Sequence, residues 1–188
     1  MAMALRETLN KMKEYAEERA FILENPGEII EDWTGSLEDL FSETKGFLQS
    51  YLDDGLMNIV EYQVEKKEDI LGDYTCPAAL IYVPSESIKI NMRPVERLVA
   101  GSAGRVDLYR EDVHMQDRMF RILRQRPPKL EERSRKWHIQ DLPSGLGALT
   151  GELGELAGGL GAPARNLRGY REFNQRSLEQ SIEFLVNL

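Results

Sequence analysis

An α+β fold is predicted: two N-terminal helices, a central antiparallel β-meander of about five to six strands, and a helical C-terminal section. Three observations lead there. Apolar residues recur at helical spacing through the first fifty residues. They change to period two between Val60 and Tyr109, and a helical beat returns after residue 145. The segments are 1–54, 55–141 and 142–188, expected as one compact domain with appended helices.

Leu5, Leu9, Met12, Ala16, Ala20 and Leu23 form the stripe of a first amphipathic helix, which Asn25-Pro26-Gly27 should stop. Ile29, Ile30 and Trp33 then make a short apolar anchor before Gly35. Ser36, with Asp39 three residues on, has the spacing of a capping box opening a second helix. That helix lines up Leu37, Leu40, Phe41, Phe47, Leu48, Tyr51 and Leu52 on one face. The two helices are expected as an antiparallel pair with both stripes on the core.

Val60, Tyr62 and Val64 alternate with Glu61, Gln63 and Glu65, as in a half-buried strand. Ala79–Val83 is rich in β-formers and ends at Pro84. Ile88, Ile90 and Met92 follow the PSES turn, and 95–99 is compatible with another short strand. Gly101-Ser-Ala-Gly104 turns the chain into Arg105–Tyr109. Residues 111–126 fit a helix through Met115, Met119, Ile122 and Leu123. They also fit a strand at 119–123, which the meander context favours. Trp137–Asp141 reads as a last short strand. A final helix is predicted from about Asn166, with Tyr170, Phe173, Ile182 and Leu185 as its apolar face.

Of 188 residues, 41% are hydrophobic, enough for a sizeable core, and no run is long enough to span a membrane as a helix. The start lacks an apolar signal core and Cys76 is the single cysteine, so a cytoplasmic location is expected. The net charge of −8 is uneven: residues 1–56 carry 5 Lys/Arg against 13 Asp/Glu, whereas 113–143 carry 8 against 4. An acidic front disfavours general nucleic-acid binding, because phosphate repels it.

Candidate chemistry is sparse. The two histidines sit in similar pentapeptides, VHMQD at 113–117 and WHIQD at 137–141. In a strand, residues three apart point to opposite faces, so each His and Asp would converge only in a helix; no metal or other cofactor is predicted. Cys76 has no histidine nearby in sequence and reads as a small buried hydrophobe. AGSAGR at 100–105 is neither a nucleophile elbow nor a Walker loop and reads as a hairpin turn. No catalytic residues are assigned. Arg105, Arg118, Arg121, Arg124 and Arg126 form a candidate anion-binding set, since guanidinium forks match phosphates and carboxylates. The bland alternative is a solvated face, or pairing with the acidic front.

In GLGALTGELGELAGGLG, residues 145–161, two stripes run side by side. One is Leu146, Leu149, Leu153, Leu156 and Leu160; the other is Gly147, Gly151, Gly154 and Gly158. Each glycine costs a helix roughly 1 kcal/mol relative to alanine, so this helix is viable only when its leucine face is covered. A small-residue groove beside a leucine ridge suits close helix–helix contact, making these nine residues a candidate partner-binding element. The function expected is a non-catalytic protein–protein interaction protein: an adaptor, an inhibitor or immunity protein, or an assembly subunit, self-associating. A small-molecule or anion-binding domain using Arg105–Arg126 and the His-x-Gln-Asp segments is the alternative. Peripheral membrane attachment through 144–162 is a third reading.

Overall fold

The computed structural model describes residues 2–97, 102–113, 119–125, 136–141 and 170–188. Helices α1 (Ala2–Glu24), α2 (Pro26–Phe47) and α3 (Gln49–Asp53) precede seven strands. These are β1 (Asn58–Glu68), β2 (Gly72–Val83), β3 (Ile88–Glu96), β4 (Arg105–Arg110), β5 (Met119–Arg124), β6 (Trp137–Asp141) and β7 (Tyr170–Glu172). Helix α4 (Gln175–Val186) closes the chain. The strands form one antiparallel sheet in chain order, β1-β2-β3-β4-β5-β6-β7.

The α+β class and the meander hold, with particular differences. Pro26 stands in the first turn of α2, where a missing N–H costs nothing, so it opens a helix as well as ending one. Helix α2 then runs unbroken through Gly35 and Ser36. The Ser36 hydroxyl donates back to Trp33 O at 2.7 Å, a mid-helix bond and not a cap. Because Asn25 alone separates α1 from α2, they are not the antiparallel pair expected from a longer connection. Residues 170–172 pair with β6 as a seventh strand, so the last helix starts at Gln175 and not near Asn166. Its start is fixed by a reciprocal capping box, Ser177 N donating to Asn174 Oδ1 and Asn174 N to Ser177 Oγ, both at 3.0 Å. Of 111–126, residues 119–124 are strand, the preferred of the two expectations.

Turn and strand chemistry match these pairings. Gly72 adopts φ +76° at the β1–β2 turn, a conformation glycine enters without strain. Pro77 and Pro94 both fall beyond the last β2–β3 pair, Ala79↔Met92, where each strand has a partner on one side only. The register slips between Pro94 and Glu96, a bulge that bends the end of β3.

Strand alternation and register put Ala79, Ile81 and Val83 of β2 on one face with Ile88, Ile90 and Met92 of β3. Val106 and Leu108 of β4, Phe120 and Ile122 of β5, and Trp137 and Ile139 of β6 continue it. This face is the core. It is covered by Trp33, Leu37, Leu40 and Phe41 of α2 and by Leu178, Ile182 and Leu185 of α4, all buried.

The tightest contact is at Gly104. A Cβ there would lie 2.3 Å from Cζ3 of the Trp33 ring, and Gly104 holds φ +146°. Trp33 is fully buried and stacks obliquely on Trp137, centroids 6.0 Å apart. Gly104→Ala should therefore destabilise the fold by about 2 kcal/mol or more, from overpacking and backbone strain together. Urea unfolding of the variant checks it; a loss under about 0.5 kcal/mol would contradict the packing described.

Candidate functional site

The five candidate arginines do not form one group. Arg124 points to the core face, where burial to 2% demands a counter-charge. Asp32 of α2 supplies it in a bidentate fork, Nη1–Oδ2 2.7 Å and Nη2–Oδ1 3.1 Å. Arg97, just past β3, approaches the same carboxylate at 3.9 Å. This cluster fastens the start of α2 to the ends of β3 and β5, and Arg124 belongs to the interior of the fold. Arg118 and Arg126 lie outside the described residues, as do all nine leucine and glycine positions from Leu146 to Leu160.

Arg105 and Arg121 do come together, on the opposite face of the sheet. Register places Arg93 opposite Asp107, Asp107 opposite Arg121, Arg121 opposite Gln140 and Gln140 opposite Tyr170. That is one continuous row across five strands, about 19 Å at the usual strand spacing. Asp107 is buried at its centre and accepts both fork hydrogens of Arg105, Nε–Oδ1 2.7 Å and Nη2–Oδ2 2.9 Å. The carboxylate is thus tied to Arg105, with Arg93 exposed on one side and Arg121 half-buried on the other.

Tyrosines flank the row. Tyr109 and Asn91 face each other across β3 and β4, both nearly buried, and the Tyr62 hydroxyl donates to Asn91 Oδ1 at 3.3 Å. Ala78 sits opposite Tyr62, and its small side chain leaves room for that reach across β2. Tyr82 and Tyr170 are half-buried on the same face. Tyr62, Tyr82, Tyr109 and Tyr170, four of the seven tyrosines, are thus on the face that α2 and α4 do not cover. Sequence reading missed this surface, because tyrosine counts as a strand former. The recoverable signal was Tyr and Arg on the alternate positions of successive strands.

At the far end of this face the β1–β2 hairpin reaches the end of β3. Lys66 Nζ donates to Pro94 O at 2.9 Å, and Arg97 N donates to Glu68 Oε1 at 3.0 Å. The Tyr74 hydroxyl donates to the same Glu68 oxygen. Burial first, then that carboxylate, pushes the Tyr74 hydroxyl well above the usual tyrosine range. Burial likewise pushes the Cys76 thiol up to about 11. A buried, protonated thiol is a poor nucleophile, in keeping with its reading as a small hydrophobe.

His138 is half-buried on β6, an extended strand. His114 lies outside the described residues, among which no cluster of three or more His, Cys, Asp or Glu has metal-binding geometry. Comparison with protein-family models, with curated proteins and with solved structures finds no significant match.

Two outcomes follow from the buried charges. Asp32→Ala leaves the Arg124 guanidinium buried without its fork and should cost about 3 kcal/mol or more in urea unfolding. Asp32→Ala with Arg124→Met should recover most of that loss, since a buried pair is worth little against an apolar replacement. At Cys76 the unfolded thiol ionises near 9 whereas the folded one keeps its proton to about 11. Stability therefore falls as pH rises through that window. Urea midpoints at pH 8 and 10.5 should drop further for the wild type than for Cys76→Ala.

Proposed function

We propose that this chain is a non-catalytic interaction protein that presents the Tyr/Arg face of its sheet to another protein and self-associates. The observation that carries the reading is the segregation of side chains. Helices take one face of the sheet, and the other concentrates tyrosine, arginine, asparagine and glutamine. Tyrosine and arginine are the residue types that dominate protein–protein hot spots, because each joins a large contact area to a directional polar group. Five strands hold the row at fixed spacing, so little ordering entropy is lost on docking.

The anion-binding reading draws on the same surface. Arg93, Arg105 and Arg121 surround Asp107, but Asp107 already occupies the Arg105 fork. A carboxylate of a protein partner aligned with exposed Arg93 fits this arrangement better than a small free anion, because Tyr62 and Tyr109 lie beside it. The chain has no helix among its described residues long and apolar enough to cross a membrane. A cytoplasmic location is part of this proposal, on the single cysteine already described.

The test is site-specific photocrosslinking in the native host, with a photoreactive residue at position 62 or 93 and a control at exposed Glu38 on α2. A discrete protein adduct from 62 and 93, absent from 38 and weakened about tenfold or more by Arg93→Glu with Arg121→Glu, is expected. Equal labelling from all three positions would overturn the reading.

A further inference from the structure

Helix α1 leaves its apolar stripe open. Leu9, Met12 and Leu23 are 55%, 57% and 57% exposed, Ala16 and Ala20 between them are exposed, and Ile22 is the buried residue at its junction with α2. Most of a helix's stability in a protein comes from packing of its apolar face, and over these 23 residues that face is left without a partner among the described residues. Between Leu9 and Leu23 the stripe is also symmetric about its centre. Position 9 lies as far before Ala16 as position 23 lies after it, and Met12 and Ala20 are likewise equidistant. Charge is divided about the same centre. Residues 2–15 carry Arg6, Lys11 and Lys13 against Glu7 and Glu14, whereas 17–24 carry Glu17, Glu18 and Glu24 against Arg19.

We infer that α1 pairs antiparallel with α1 of a second copy of this chain, about a two-fold axis at Ala16. In that arrangement Leu9 of each copy packs on Leu23 of the other, Met12 packs on Ala20, and the two Ala16 residues meet at the axis. The small central residues let the helices approach closely. The net positive first half of each helix lies along the net negative second half of the other, and the helix dipoles oppose, so both contributions favour antiparallel over parallel pairing. A two-fold interface needs a self-complementary patch, and this stripe is one. A lipid surface fits less well, because an anionic headgroup layer repels the acidic half. The inference locates the self-association proposed above on α1, and its experiment reads assembly size, so it can fail while the sheet-face reading stands.

Sedimentation velocity on the full chain across the micromolar range should show a species of twice the 21.5 kDa chain mass. Leu9→Asp with Leu23→Asp should raise the dimer dissociation constant roughly thirtyfold or more, with the thermal melt of the sheet unchanged, since both side chains are exposed. Orientation is read by oxidative crosslinking of the full chain, Cys76 being buried. A mixture of Leu9→Cys and Leu23→Cys proteins should link position 9 to position 23. Leu9→Cys alone should not link, because in the antiparallel pair those positions lie about 21 Å apart along the axis. A monomer at every concentration, a dimer indifferent to the double aspartate variant, or efficient 9-to-9 links would each overturn the inference.

Discussion

The rest of the structure depends on how the first turns of α2 sit on the sheet. Trp33 enters a space that exists only because position 104 has no side chain, and one residue earlier Asp32 closes a fork on Arg124. The two contacts act on adjacent residues of one helix. The ring sets how deep the helix sits, and the carboxylate fixes its rotation and its position along β5. Packing of this density tolerates little displacement, so the remaining core residues of α2 follow from those two.

Docking both α2 and α4 on one face has a consequence for the other. A seven-stranded sheet has alternate side chains on two surfaces, and among the described residues no helix docks on the second. Its central carboxylate is spent within the sheet, and a polar row spans five strands beside a group of tyrosines. The rigidity that α2 lends to the sheet is what holds this row at fixed spacing. Fold stability and the proposed surface are thus properties of opposite faces of the same strands.

Much of the fold was legible in the sequence. The change of hydrophobic period near residue 57 marked where helices give way to strands, and the β2, β3, β4, β5 and β6 segments were each visible as alternation or β-rich runs. The errors have local causes. Pro26 follows a helical stripe and so resembles a stop, although proline is equally favoured in a first helical turn. Ser36 and Gly35 resembled a boundary but lie inside a helix whose stability comes from Trp33, Leu37, Leu40 and Phe41 against the sheet, which overrides local propensity. Tyr170–Glu172 carries a helix-compatible pattern and is recruited as a strand because β6 offers it an open edge.

The candidate site was less legible. Arg105, Arg121 and Arg124 were chosen for charge alone, and the strand periodicity that parts Arg121 from Arg124 was available once β5 was known to be a strand. Sequence by itself determined the secondary-structure class, the apolar stripes and the uneven charge, because these depend on residue type and spacing along the chain. Only the tertiary structure decided which arginine is buried with Asp32 and which joins the tyrosine face. It also decided that Gly104 must be glycine and that the α1 stripe stays uncovered. Those outcomes rest on contacts between residues far apart in sequence, whose partners no local pattern encodes.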